Sequence, residues 1–188
     1  MKTLIFNGSP RPHGNTSALI EELVRHLEGE VKIIRAYDCD IKPCVDCRFC
    51  WKNEGCATQD GMQEVYDYIQ ECDNVVVASP LQFLELSGQL LVVLSRLQTY
   101  WCGELFRKVT PVPKKKRGGI IIVRGGEGYL KKPVDTAKTL LRHMNARADR
   151  VIFSDKTDET PSIEQADAVA GIEELARVLN RQPYVSAK

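Results

Sequence analysis

Apolar residues fall in two rhythms along this chain. Short, largely β-branched runs occupy residues 3–7, 31–36, 74–78, 119–123 and 150–154. Between them, apolar side chains recur every three or four positions. Leu19, Ile20, Leu23, Val24 and Leu27 form one stripe; Met62, Val65, Tyr66 and Ile69 form another. Val134, Ala137, Leu140, Leu141 and Met144 make a later one, and Val169, Ile172, Ala176 and Leu179 mark a last helix over 164–180. Uninterrupted runs predict strands buried on both faces, and the stripes predict amphipathic helices. Residues 87–101 are apolar on nearly all sides, which predicts a helix covered by more than a sheet, as at a subunit interface. Asp60 precedes the second stripe and is a candidate helix cap.

Five strands alternating with five helices predict an α/β fold, a doubly wound parallel sheet covered on both faces. Right-handed crossovers leave few topologies, and the flavodoxin-like order 2-1-3-4-5 is the expected one. All 188 residues fit a single domain, with a long cysteine-rich loop at about 37–59 and a frayed tail over 183–188. In such sheets ligands bind beyond the carboxyl ends of the strands, at the switch between the first and third. Three loops therefore carry the candidate chemistry: 8–17, 79–87 and 124–128.

The first of these reads Gly8-Ser9-Pro10-Arg11-Pro12-His13-Gly14-Asn15-Thr16-Ser17. Hydroxyls and backbone N–H groups at a helix N-terminus suit a phosphate, and Arg11 adds charge-assisted hydrogen bonds. The loop matches neither G-x4-G-K-[ST] nor G-x-G-x-x-G, which disfavours a Walker loop and a Rossmann dinucleotide site. An ordinary helix start, capped by Asn15 or Thr16, is the alternative. Its place after the first strand favours phosphate.

The run Asn7-Gly8-Ser9-Pro10-Arg11, followed by Gly14-Asn15-Thr16-Ser17, resembles the flavin phosphate loop of the NAD(P)H-dependent FMN reductase family, which includes the iron–sulfur flavoproteins. Pro43-Cys44 through Cys56, Asp60-Gly61-Met62, Asp73, Ser79-Pro80, Ser87-Gly88-Gln89-Leu90 and Arg96 follow in that family's order. The resemblance implies a bound FMN. Ser9, Arg11, Asn15, Thr16 and Ser17 would hold its phosphate. Pro80, Leu81, Gln82 and Phe83 would flank the isoalloxazine ring, and Gly125, Gly126 and Glu127 would close over its far side. Departures concern the redox partner more than the flavin. Gln82 stands where the family commonly has Tyr. Leu91 and Ser95 replace a frequent Lys and Asp, and the acidic group before Met62 is reduced to Asp60.

Seven cysteines and no export signal point to thiols or metal ligands in a reducing cytoplasm. Cys44, Cys47, Cys50 and Cys56 have the spacing C-x2-C-x2-C-x5-C, which can wrap one cubane. The iron–sulfur flavoproteins share this spacing, so the resemblance allows a 4Fe–4S cluster. Cluster-free members carry a similar loop, often with Trp after the third cysteine, as Trp51 is here. Metal-free thiols and a zinc site therefore stay open. Cys39, Cys72 and Cys102 read as buried small hydrophobes. His13, His26 and His143 are too scattered for a shared metal site.

Net charge is +1, so no single-signed field calls for nucleic acid or an anionic membrane, and no apolar run is long enough for a membrane span. The basic run Lys114-Lys115-Lys116-Arg117 reads as a solvated turn. No catalytic triad or carboxylate pair is evident, which fits chemistry carried by a cofactor. The leading expectation is an FMN-dependent oxidoreductase taking electrons from NAD(P)H and passing them to a quinone, a flavin or another small acceptor, assembled as a homodimer or homotetramer. The alternatives are an iron–sulfur flavoprotein relaying single electrons and a non-catalytic flavodoxin-like interaction module.

Overall fold

A computed structural model describes residues 1–182; the tail expected to fray, 183–188, lies outside the described residues. The strands are β1 (Lys2–Asn7), β2 (Glu30–Arg35), β3 (Asn74–Gln82), β4 (Glu85–Leu86), β5 (Lys116–Val123) and β6 (Ala146–Ser154). The α-helices are α1 (Asn15–His26), α2 (Met62–Glu71), α3 (Gly88–Leu94), α4 (Gln98–Cys102), α5 (Lys131–His143) and α6 (Ala166–Leu179). Five parallel strands run in the order β2-β1-β3-β5-β6. This is the expected 2-1-3-4-5 order, with the numbering advanced by the short antiparallel β4 that pairs with the end of β3.

Successive residues of each central strand feed opposite faces, as a pleated strand requires. Leu4, Phe6, Val75, Val77, Ile120 and Ile122 pack with α2, α3, α4 and α5. Ile5, Val76, Ala78, Ile121 and Val123 pack with α1 and α6. Two dry layers thus fix the sheet and leave its carboxyl edge to the loops.

Four local expectations are corrected. Gly14, not Asn15 or Thr16, occupies the N-cap of α1, and no side chain caps it. Residues 87–101 are not one regular helix. A tight 3₁₀ turn, Ser95–Leu97, separates α3 from α4, and a wide π turn, Gly103–Arg107, follows. Ser95 helps explain the break, because its Oγ donates to the carbonyl of Val92 at 2.6 Å, a back-bond that bends helices. The run 114–117 is not a uniformly solvated turn. Lys116 is 1% exposed at the start of β5, its Nζ donates to the carbonyl of Lys114 at 2.7 Å, and burial pushes its pKa down to about 8. Asp60 does serve the start of α2, accepting from the Met62 N–H at 3.0 Å, but from one residue before the N-cap, which is Gly61.

Candidate functional site

The loop after β1 is shaped by its own side chains. The Ser9 N–H donates to Asn7 Oδ1 at 2.8 Å, and Asn7 Nδ2 donates to Ser17 Oγ at 3.3 Å. Ser9 Oγ and Ser17 Oγ both donate to the carbonyl of Arg11, at 3.1 and 3.0 Å. These bonds fold the chain into a cup whose rim is the exposed Arg11. Gly8 is required by packing, since a Cβ there would lie 2.7 Å from Ser87 Oγ and 2.9 Å from Leu90 Cδ2. Ser87 Oγ in turn donates to the carbonyl of Gly8 at 2.7 Å, and its N–H donates to Ser79 Oγ at 2.9 Å. The loop after β1 and the loop after β3 are thereby fastened together.

Helix geometry leaves the N–H groups of Asn15, Thr16 and Ser17 without intrahelical acceptors, and α1 has no side-chain cap. The Asn15 side chain is engaged elsewhere: its Oδ1 accepts from the Ser162 N–H at 2.8 Å and its Nδ2 donates to the Thr157 carbonyl at 3.5 Å. Three open N–H groups beside an arginine are a helix start whose charge and donors suit an anion. Ser9, Thr16 and Ser17 are all buried in it.

The end of β3 carries Pro80 and Leu81, half-buried, then Gln82 and Phe83, exposed. Gln82 pairs with Glu85, leaving Phe83 and Leu84 as a two-residue hairpin turn. Both have positive φ, 49° and 59°, a conformation that such turns ordinarily reserve for Asn or Gly. Phe83 projects fully into solvent. Nothing in Gln-Phe-Leu-Glu announces a turn, so the sequence pattern missed this hairpin.

The third loop is set by a pair the sequence reading also missed. Arg124 donates from Nε and Nη2 to the two oxygens of Asp155, at 2.6 and 2.8 Å. The Thr157 N–H donates to the Arg124 carbonyl at 3.1 Å. Gly125 lies against Asp158, whose Oδ2 would be 2.1 Å from an added Cβ, whereas Gly126 faces open space. Glu127 pairs with Lys156 at 2.6 Å. Through Thr157 this loop reaches Asn15, so all three loops converge at one end of the sheet.

The cysteine loop is anchored differently. Arg96 is 1% exposed. Its Nη1 donates to Asp60 Oδ2 at 2.7 Å and to the Lys42 carbonyl at 3.0 Å; its Nη2 donates to the Thr58 carbonyl at 2.9 Å. The Cys44 N–H donates to Ser95 Oγ at 3.0 Å, and Thr99 Oγ1 donates to the Gly55 carbonyl at 2.7 Å. Trp51 stacks on Phe106 with ring centres 4.3 Å apart. Burial would raise the Asp60 carboxyl, but bonds from the Lys42 N–H, Arg96 and the Met62 N–H hold it below its ordinary value. Cys44, Cys47, Cys50 and Cys56 line one small cavity of about 20 Å³ together with Arg96. Cys50 is pushed up to about 12, by burial and then by the neighbouring thiol of Cys102. Cys72 and Cys102 are buried, as expected, but Cys39 is only half-buried.

Residues 1–156 match the family model described as NADPH-dependent FMN reductase. The chain belongs to this FMN reductase family. It is 31% identical over 149 residues to an iron-sulfur flavoprotein of Archaeoglobus fulgidus, an alignment covering 78% of this chain and 63% of that protein. It is 33% identical over 99 residues to an iron-sulfur flavoprotein of Methanocaldococcus jannaschii, covering 51% of each. The chain thus spans less than two thirds of the length of these curated relatives. Its fold matches an FMN-dependent NADH-azoreductase from Bacillus anthracis, solved in complex with FMN, with a TM-score of 0.68 and 14% identity over 95% of this chain and 99% of that one.

Two groups implied by the FMN reductase family can be tested against the residues. For FMN, the uncapped α1 N-terminus, exposed Arg11 and open Gly126 fit a phosphate and a flat ring. For a 4Fe–4S cluster, the donor type is present, because four thiols line one cavity, but that cavity of about 20 Å³ has room for about one water and not for a cubane. The sulfurs are not drawn together: among the described residues, no three Cys, His, Asp or Glu side chains are grouped to hold a metal ion.

Proposed function

We propose that this protein is an FMN-dependent oxidoreductase taking electrons from NAD(P)H, and the anion-binding cup at residues 8–17 is the observation that carries this reading. Membership of the FMN reductase family supports it. Arg11 and the backbone N–H groups of Asn15, Thr16 and Ser17 bind the FMN phosphate. Ser9 and Ser17 act on the same site by holding the Arg11 carbonyl and so the shape of the cup. Pro80, Leu81, Gln82 and Phe83 form one wall for the ring. Gly125, Gly126 and Glu127 form the other, held by the Arg124–Asp155 pair. Bound FMN supplies the hydride and electron chemistry itself, so the chain's task is to bind, orient and shape the electrostatics of the ring. The acceptor is a small molecule of quinone or flavin type. Exposed Trp101, Leu105 and Phe106 support assembly as a homodimer or homotetramer, and the reducing setting that free cysteines require supports a cytoplasmic location. Among the described residues no helix is long and apolar enough to cross a membrane.

The test is reconstitution with FMN followed by NADPH and NADH oxidation with menadione as acceptor. Stoichiometric flavin binding and turnover support the reading; a protein that retains no flavin overturns it.

A second reading has a specific observation behind it. The thiol donor type at Cys44, Cys47, Cys50 and Cys56 favours a 4Fe–4S cluster at that site, and with it single-electron relay. Iron and acid-labile sulfide after anaerobic reconstitution decide it.

A further inference from the structure

Spacing groups Cys50 with Cys44, Cys47 and Cys56, but the fold gives it another partner. Cys50 sits on the short turn Phe49–Trp51, and Cys102 ends α4. Their thiols lie side by side, and Cys44 acts on Cys50 less than Cys102 does. The backbone on either side is clasped. Trp51 stacks on Phe106 with ring centres 4.3 Å apart, and Thr99 Oγ1 donates to the Gly55 carbonyl at 2.7 Å. Gln98 lines the cavity beside Cys50 and sets its Nε2 3.9 Å from Cys102 Sγ. Neighbours of both cysteines thus hold the pair together. We propose that Cys50 and Cys102 are an oxidative modification site, closing to a disulfide under peroxide and fastening the cysteine loop to α4. Neither FMN nor a cluster is needed for it.

Cys50 is a poor point of entry for an oxidant, because burial and its neighbour leave it little thiolate. Cys102 is buried outright. Cys47 is exposed and lines the same small cavity as Cys50. The Cys47 thiolate attacks a peroxide, the O–O bond breaks, and a sulfenic acid forms as one water leaves. The Cys50 sulfur displaces the sulfenic oxygen as a second water, which makes a Cys47–Cys50 bond. Cys102 then attacks the Cys50 sulfur, and Cys47 leaves as a restored thiol. Two thiols and one peroxide become one disulfide and two waters. The product withdraws Cys50 from any set of four thiolates, so the disulfide and a metal-loaded loop exclude each other.

The test uses the purified chain, freed of metal with a chelator, reduced, desalted and exposed to hydrogen peroxide. Remaining thiols are alkylated, and the unreduced protein is cut with trypsin for mass spectrometry. Cleavage after Arg35, Arg48, Lys52, Arg96 and Arg107 puts Cys50 in 49–52, Cys102 in 97–107, and Cys39, Cys44 and Cys47 in 36–48. The expected product joins 49–52 to 97–107 and is reversed by dithiothreitol. Its formation should lower tryptophan emission, because Trp51 and Trp101 adjoin the two cysteines. Cys102→Ala should abolish the link; if that variant fails to fold, Cys50→Ser, on the half-buried turn, serves in its place. Cys47→Ser should slow the link by about tenfold or more, since a low-thiolate sulfur must then meet the peroxide directly. A link that forms in Cys47→Ser at the wild-type rate overturns the route through Cys47. Peroxide-treated wild type in which 49–52 ends joined to 36–48, or is recovered fully alkylated, overturns the proposal.

Discussion

The loops after β1 and β2 both lie at the carboxyl side of the sheet, but they are held in opposite ways. The turn around Arg11 is itself closed by Asn7, Ser9, Ser17 and the Arg11 carbonyl across separations of 2 to 10 residues, and remote bonds reach only its flanks, at Gly8 and Asn15. The cysteine loop is closed by Ser95, Arg96 and Thr99, which lie 36 to 54 residues from their partners. The turn itself therefore depends less on remote elements than its flanks do. A remotely pinned loop depends on the element that pins it, here the stretch from α3 to α4.

That difference can be broken most forcefully at Arg96. Arg96→Ala removes three pins and strands Asp60 as a buried, uncompensated carboxylate. The expected loss is about 3–5 kcal/mol, measured by urea unfolding. The pair Asp60→Leu with Arg96→Met removes both charges and should recover much of this, since apolar pairs often replace buried ion pairs without net cost. A loss below about 1 kcal/mol in Arg96→Ala, a value typical of exposed pairs, would mean the loop is not pinned there.

The first loop predicts the reverse separation of stability from binding. Arg11 contributes its carbonyl to the turn, while its side chain is exposed. Arg11→Ala should leave the unfolding free energy within about 0.5 kcal/mol of wild type. FMN affinity, read from quenching of flavin fluorescence, should fall by about 1.5–3 kcal/mol, the value of a hydrogen bond to a charged group. Unchanged affinity would remove Arg11 from the phosphate site.

A smaller effect is expected at the hairpin between these regions. Phe83 and Leu84 sit at positive φ without the residues that favour it. Replacing them with Asn and Gly should stabilise the flavin-free protein by about 1 kcal/mol, seen as a higher melting temperature. If Phe83 covers the ring, the same change weakens FMN binding. No change in melting temperature would show that the turn stores no strain.

What could be read from the sequence follows the same division. The strand order was legible because strands and helices alternate and right-handed crossovers leave few topologies, and burial on both faces was legible because runs such as 74–78 are apolar without interruption. The loop at 8–17 stood out because its hydroxyls, glycines and arginine are near neighbours, although its N-cap was misread. Arg96 stood out only as a residue in the family's order, since nothing near it in sequence shows that it reaches Lys42, Thr58 and Asp60. The Arg124–Asp155 pair was invisible for the same reason. The hairpin at Phe83 was missed because its conformation is imposed by pairing with β4 and opposed by its own residues. Lys116 misled because a basic run looks solvated until the register of β5 turns one member inward. Cys44, Cys47, Cys50 and Cys56 could be grouped by spacing, but spacing could not say how closely their sulfurs approach.

Acid separates the two loops most gently. The Asp60 carboxyl lies below its ordinary value in the folded chain, so folding gains from its ionised form. That gain is fully present above the unfolded carboxylate value, about 4, and is lost as pH falls through the lower folded value. Protonation of Asp60 weakens its bonds to Arg96 and to the Lys42 N–H and loosens the cysteine loop. Both tryptophans report this region, because Trp51 stacks on Phe106 and Trp101 meets the same ring edge-on with centres 5.7 Å apart. On acidification, tryptophan emission should therefore change before the far-ultraviolet circular dichroism that reports the sheet. In Asp60→Asn the early step should disappear. Coincident transitions in wild type would mean that the pinned loop and the sheet unfold as one unit, and that remote anchoring makes the loop no more separable than the cup that closes on itself.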